Sequence, residues 1–243
     1  YGPPAFDPDS GRVYFGASDK RIYALDGRGL FLWSFRTGDN VATRPLVADD
    51  LVIVASEDDN VYALDARTGT ERWSFHTNGA VVSSPARVGD LVVVGSDDQT
   101  VYGLDLRTGE LRWAYAAGGA VEAPVVADDG TAFVASRDGT LAALPAASCA
   151  GECQAAWSIE PGASLRTAPL VLDDRVLVVD EDGTLIALAR DDGRRLWTVT
   201  GQGYVGTPVR VGDAIVAASA KGELDRLGLD GTRLGRWSAA ETV

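Results

Sequence analysis

The chain has 243 residues, 46% of them hydrophobic, and a formal net charge of −13. It is long enough to bury a sizeable core; its acidity argues against nucleic acid, whose phosphates require clustered Lys and Arg, and against docking on anionic lipid. No apolar run approaches the roughly 18 residues of a membrane span, so no membrane insertion by this chain is expected.

No segment reads as a signal peptide, and a chain that starts at Tyr1 and lacks Met reads as a mature or excised piece. Its tryptophans stand at Trp33, Trp73, Trp113, Trp157, Trp197 and Trp237, in steps of 40, 40, 44, 40 and 40 residues. A period near forty is the length of a four-stranded propeller blade. The expected fold is all-β: a six-bladed β-propeller forming a single domain over residues 1–243, each blade an antiparallel meander of about 40 residues.

The first repeat carries Val13-Tyr14-Phe15 as its second strand and Ala24-Leu25-Asp26 before a turn one residue short. The second repeat is the cleanest, with strands predicted at 41–47, 51–56, 61–65 and 71–75, divided by Asp/Asn/Gly turns. Its continuously apolar second strand fits a sheet buried on both faces. The tightest pattern, Ala63-x-Asp65-x-x-Thr68-Gly69-x-x-x-Trp73, returns in the third repeat as Gly103, Asp105, Thr108, Gly109 and Trp113. Asp caps the turn, Gly takes a positive φ, and Trp offers the next blade a flat apolar surface and one N–H to be satisfied.

The fourth repeat replaces Asp and Thr-Gly by Leu144-Pro145 and a Cys-containing insertion at 146–153, which accounts for the 44-residue step. Cys149 and Cys153 read as a local disulfide staple, with free thiols as the alternative. Three intervening residues do not make a redox Cys-x-x-Cys, and a metal site would need two more ligands. A disulfide places the chain outside the cytoplasm, in periplasm, at a cell surface or secreted. The fifth repeat has Ala189 where Asp belongs, and the sixth is the poorest, with Asp225-Arg226 in its third strand. All six first strands carry a proline, namely Pro4, Pro45, Pro85, Pro124, Pro169 and Pro208. Proline belongs on an edge strand, which puts the first strands at the axis and the Trp strands outermost.

This motif and period resemble the tryptophan-docking repeats of the PQQ-binding-like (quinoprotein-type) β-propeller family over essentially the whole chain. That bacterial family includes quinoprotein alcohol dehydrogenases, eight-bladed by resemblance, and the propeller lipoprotein of the outer-membrane β-barrel assembly machine. The resemblance implies the fold and not an activity. Six complete units are expected to close by packing of the sixth blade on the first; the alternative is an excised part of a longer ring.

No segment matches the family's cofactor-binding motifs, so no cofactor and no enzyme activity are expected. Gly-x-Ser-x-Gly, Walker and His-Glu-x-x-His patterns are absent. The lone His76 reads as a solvated loop residue, and Asp180-Glu181-Asp182-Gly183 fails the EF-hand register, so no metal site is assigned. The residues before each proline should ring the channel mouth on the blade-joining face. Arg44, Glu122 and the nearby Arg166 and Tyr204 break the small-residue rule there, so they are the candidate ligand- or partner-binding residues; the alternative is that they pair with one another and plug the channel. The expected function is a non-catalytic binding, scaffold or sensor module for a protein or peptide partner or a small ligand. The rivals are a quinone-dependent dehydrogenase or a fragment of one, and a carbohydrate-binding propeller.

Overall fold

The computed structural model describes residues 2–238, and among them every regular element is a strand. The strands form six sheets, each an antiparallel meander in chain order. The first sheet holds Ala5–Asp7, Arg12–Ala17, Arg21–Leu25 and Phe31–Arg36; the second Leu46–Ala48, Leu51–Ala55, Asn60–Asp65 and Glu71–His76. The third holds Ala86–Val88, Leu91–Gly95, Thr100–Asp105 and Leu111–Ala116; the fourth Val126–Asp128, Thr131–Ala135, Leu141–Leu144 and Trp157–Ile159. The fifth holds Leu170–Val171, Arg175–Val179, Leu185–Ala189 and Arg195–Val199; the sixth Tyr204–Val211, Ala214–Ser219, Glu223–Gly228 and Arg233–Ser238.

The first strands of successive sheets lie side by side. They are shorter than predicted: the second sheet opens at Leu46, not at Val41. Pro45 lacks the N–H that a ladder residue supplies, so pairing starts only after it. Pro208 does lie within a strand, inside the register shift between Val205 and Val209.

Successive sheets pack face to face through alternating side chains. Five buried apolar clusters join the first sheet to the second, and so on to the sixth. The second strand of the second sheet shows why its sequence is wholly apolar: Val52 and Val54 pack on the first sheet, Ile53 and Ala55 on the third. Among the described residues no such cluster joins the sixth sheet to the first, so the expected closure by packing is not observed.

The tryptophans seal these interfaces. The indole Nε1–H of Trp33, Trp73, Trp113, Trp157 and Trp197 donates to the carbonyl of Ala66, Leu106, Ala146, Arg190 and Leu229 on the next sheet, at 2.7–3.2 Å. Each of these five pairs across its own sheet with the small residue before the turn, as in Ala63↔Trp73 and Gly103↔Trp113. Trp237 departs from the pattern. In the sixth sheet the corresponding residue, Arg226, faces Gly235, and Trp237 lies two residues further on, opposite Leu224.

Cys149 and Cys153 form a disulfide, with Cα atoms 5.1 Å apart. The loop it staples reaches back to the preceding sheet. Gly151–Glu152 pairs in parallel with Trp113 and Ala114, giving the third sheet a fifth strand, and the Cys153 N–H donates to Ala114 O at 2.8 Å.

Candidate binding face

The turns between second and third strands share one end of the meanders with the linkers that join sheets. Each linker is pinned to two turns. Val81 N–H donates to Ser56 O of the preceding sheet, and Ala80 O accepts from Asp97 N–H of its own sheet, at 3.1 and 2.9 Å. The same bonds recur for Arg137 N–H to Ala120 O and Glu181 N–H to Ser164 O, both 2.9 Å. Backbone bonding thus fixes Glu57, Asp97, Arg137 and Glu181 at one repeated position. Sequence reasoning missed these four, although they recur with the 40-, 40- and 44-residue steps of the tryptophans.

The charges on this end largely answer one another. Arg137 meets Glu122 at 3.1 Å, and Arg166 meets Glu181 at 3.5 Å. The Asn40 amide donates to Glu57 Oε2 at 3.2 Å. Asp97 is the exception, since its Oδ1 is buried without a hydrogen-bond partner among the described residues. Burial raises its pKa, and the nearby Glu122 charge adds to the rise.

Arg44 is exposed, and among the described residues its guanidinium has no ion-pair partner. Its backbone N–H donates to Ser84 Oγ of the next repeat at 2.9 Å, which holds it over an open cavity of about 270 Å³. Phe6, Pro45, Leu46, Val47 and Pro85 line that cavity between the first strands of the first three sheets. Of the four sequence-selected residues, Glu122 and Arg166 therefore sit in the turn-end ion pairs and Arg44 in the cavity.

Tyr204 holds a linker position on this end, its N–H donating to Gly183 O at 3.0 Å, but its side chain turns inward: it is 2% exposed, and its hydroxyl donates to Asp225 Oδ2 at 2.8 Å. Arg236 closes the triad, with Nε 2.6 Å from Asp225 Oδ1. Burial, reinforced by the Asp225 carboxylate, raises the Tyr204 pKa. The Arg236 hydrogen bond holds Asp225 below its ordinary value against the opposing effect of burial. The Asp225-Arg226 irregularity of the sixth repeat is thus the acceptor side of a buried polar cluster.

The opposite end carries the larger cavity, about 620 Å³, between the third sheet and the disulfide loop; Asp90, Leu111, Ala147 and Cys149 are among its walls. There Asp105 caps its turn through the backbone N–H groups of Arg107 and Thr108, both at 3.0 Å, and pairs with Arg112 at 2.7 Å. The Arg112 hydrogen bond, helped by these N–H groups and opposed by burial, lowers its pKa to about 2. His76 is exposed, with Nδ1 3.2 Å from Asn60 Oδ1. Among the described residues no group of three or more His, Cys, Asp or Glu side chains could hold a metal ion.

Over residues 2–123 and 116–240 the sequence matches the family described as outer membrane protein assembly factor BamB. The chain belongs to this family. No curated protein matches it in sequence. Among solved structures it is similar to BamB from Moraxella catarrhalis, with a TM-score of 0.86 and 23% identity over 98% of this chain and 74% of that one. It is also similar to the computationally designed Ika8 protein, with a TM-score of 0.78 and 22% identity over 98% of this chain and 70% of that one. At these identities the likeness to BamB and to the design is one of fold, and the family match carries the relationship.

Proposed function

We propose that the six sheets are consecutive blades of a β-propeller, a single domain over residues 1–243, and that it acts as a non-catalytic protein-binding scaffold. Its setting is extracytoplasmic, in the periplasm at the outer membrane, where it serves outer-membrane protein assembly. The family match over nearly the whole chain supports this setting, and the disulfide is compatible with an oxidising compartment.

The observation that carries the binding reading is the Arg44 cavity. An unpaired guanidinium beside Phe6 and two prolines on a rigid rim combines a charge anchor with apolar contact, the composition of an interface hot spot. The partner segment that fits is extended and pairs a carboxylate with an apolar side chain. The Glu122–Arg137 and Arg166–Glu181 pairs then form a polar rim that sets orientation more than affinity.

The test is site-specific photo-crosslinking in the cell envelope from Ser84, at the cavity, and from Arg67, at the opposite end. Crosslinks to outer-membrane assembly proteins are expected from position 84 alone. Arg44→Glu should weaken that association about tenfold or more, equivalent to about 1.4 kcal/mol. Equal crosslinking from both positions, or full retention by Arg44→Glu, overturns the placement. Calcium-dependent quinone binding with turnover overturns the non-catalytic reading.

A further inference from the structure

The cavity between the third sheet and the disulfide loop has a counterpart one interface earlier, and the two differ by an arginine. A step of 40 residues carries Asp50 to Asp90, Leu51 to Leu91, Arg72 to Arg112 and Arg107 to Ala147. The structure bears this count out. Leu51 faces Asp65 as Leu91 faces Asp105, and Arg107 and Ala147 each follow the residue, Leu106 or Ala146, whose carbonyl takes the preceding sheet's indole N–H. Between the second and third sheets Arg107 reaches across to Asp49 at 3.0 Å and to Asp50 at 3.7 Å. What remains between Asp50, Leu51, Arg72 and Arg107 is a cavity of about 120 Å³. Between the third and fourth sheets Ala147 supplies no such side chain, and the cavity is about 620 Å³.

The exchange leaves one carboxylate over. At this turn position Asp50 has Arg107, and Asp174 of the fifth sheet has Arg175 at 2.6 Å. Among the described residues the exposed Asp90 carboxylate has neither a hydrogen bond nor an ion pair. Arg112, on the same wall, is already held by Asp105 at 2.7 Å, so the free charge of the cavity is negative. Val88, Leu91, Leu111 and Ala150 give it apolar walls, and Leu111 is 49% exposed.

The loop side of the cavity is fixed in advance. The disulfide closes the loop, the Ala147 N–H donates to Gly130 O at 3.0 Å and the Ser148 N–H to Pro145 O at 2.9 Å, and Gly151–Glu152 is paired to the third sheet. The walls therefore do not close over the space that Arg107 fills one interface earlier, and the volume lies in the range of roughly 300–1,000 Å³ of ligand sites. A guanidinium suits it, because the planar head keeps its charge while the methylene stem packs on apolar surface. We infer that this cavity binds an arginine side chain of a partner peptide, its guanidinium on Asp90 as Arg107 sits on Asp50, and an adjoining apolar side chain on Leu91 and Leu111. The site lies at the end opposite Arg44 and does not depend on the reading of that residue.

The experiment is a titration of the whole chain, followed by backbone-amide NMR, with an acetylated and amidated pentapeptide that carries Arg between two Leu. The same peptide with citrulline for Arg, equal in shape but uncharged, is the comparison. The Arg peptide should shift the amides of residues 88–91 and 147–150, and citrulline should weaken binding about tenfold or more. Asp90→Asn should weaken the Arg peptide about tenfold as well and leave the citrulline peptide unchanged. Ala147→Arg, at an exposed loop position, should pair with Asp90 from within and abolish binding, with the unfolding midpoint held or raised. Equal binding of the two peptides overturns the inference, as does full binding by Asp90→Asn or by a folded Ala147→Arg. An Arg peptide that shifts neither segment overturns it too. Arg44→Glu should change none of these results, so this site and the Arg44 cavity stand or fall separately.

Discussion

The third and sixth sheets are the same meander with opposite fates. In the third, neighbours cover both faces, Val92, Val93 and Val94 are fully buried, and Trp113 is sealed at 0% exposure with its N–H satisfied. In the sixth, among the described residues only one face is covered, Val209 and Val211 are exposed, and Trp237 is 53% exposed. Local sequence makes a sheet of either kind; what stabilises it is the neighbour across the face. A repeat unit of this type cannot bury its own apolar surface, so an end repeat must find another source of order. The sixth sheet uses polar chemistry, with Tyr204 and Arg236 meeting Asp225 inside the sheet.

The sharpest way to break this comparison is to delete the indole on each side. Trp113→Ala should cost about 3–5 kcal/mol, the usual range for a fully buried aromatic, whereas Trp237→Ala should stay within about 1 kcal/mol. Urea midpoints at constant m-value measure both. Equal losses would mean that the sixth sheet's outer face is covered in solution. Next in size is Asp225→Ala, which strands the Tyr204 hydroxyl, leaves the Arg236 guanidinium only Glu223 and Gln202, and should cost about 2–3 kcal/mol. Hydrogen exchange should show the loss confined to the sixth sheet and its contact with the fifth. Opening spread over all six sheets would show that the arc unfolds as one unit.

The smallest effect separates the two sheets by acid. The folded pKa of Asp105 is about 2, against an unfolded value near 3.9. A depressed carboxylate contributes stability that is present above the unfolded value and is lost as pH falls through the folded one. Between pH 4 and pH 2 the Asp105 cap should therefore weaken, and Asp105→Asn should reduce the accompanying fall in Tm by about 1–2 °C. The sixth sheet has Gly228 at this position and should lose nothing through it. Hydrogen exchange at pH 5 and pH 2.5, sheet by sheet, checks the contrast.

Most of the fold was legible because it rests on local, repeated chemistry. The Asp-x-x-Thr-Gly turn, the apolar second strands and five of the tryptophans carry their physical roles in their spacing. Trp237 did not, because counting residues is blind to register. The turn after Gly228 is one residue shorter than in the second or third repeat, and the step from Ala187 to Arg226 is 39 residues rather than 40, so a 40-residue step from Trp197 lands two places past the docking position. The candidate face was legible where residues broke the repeat, as at Arg44 and Glu122. Glu57, Asp97, Arg137 and Glu181 follow a repeated turn position, and such residues pass for scaffold until backbone bonding shows that they share an end. Tyr204 could not be placed because its partner Asp225 lies two strands away in the meander.

The disulfide loop has a consequence for how partners can approach. By laying Gly151–Glu152 along Leu111–Ala116, it occupies the outer rim of the third sheet, where an unpaired backbone would otherwise accept an added strand. Docking by β-augmentation is thereby withheld from that sheet, and among the described residues the outermost strands of the other five carry no such strap. The outer edges of the six sheets are therefore unequal, and thiol reduction, by loosening the strap, would return one more docking edge to them.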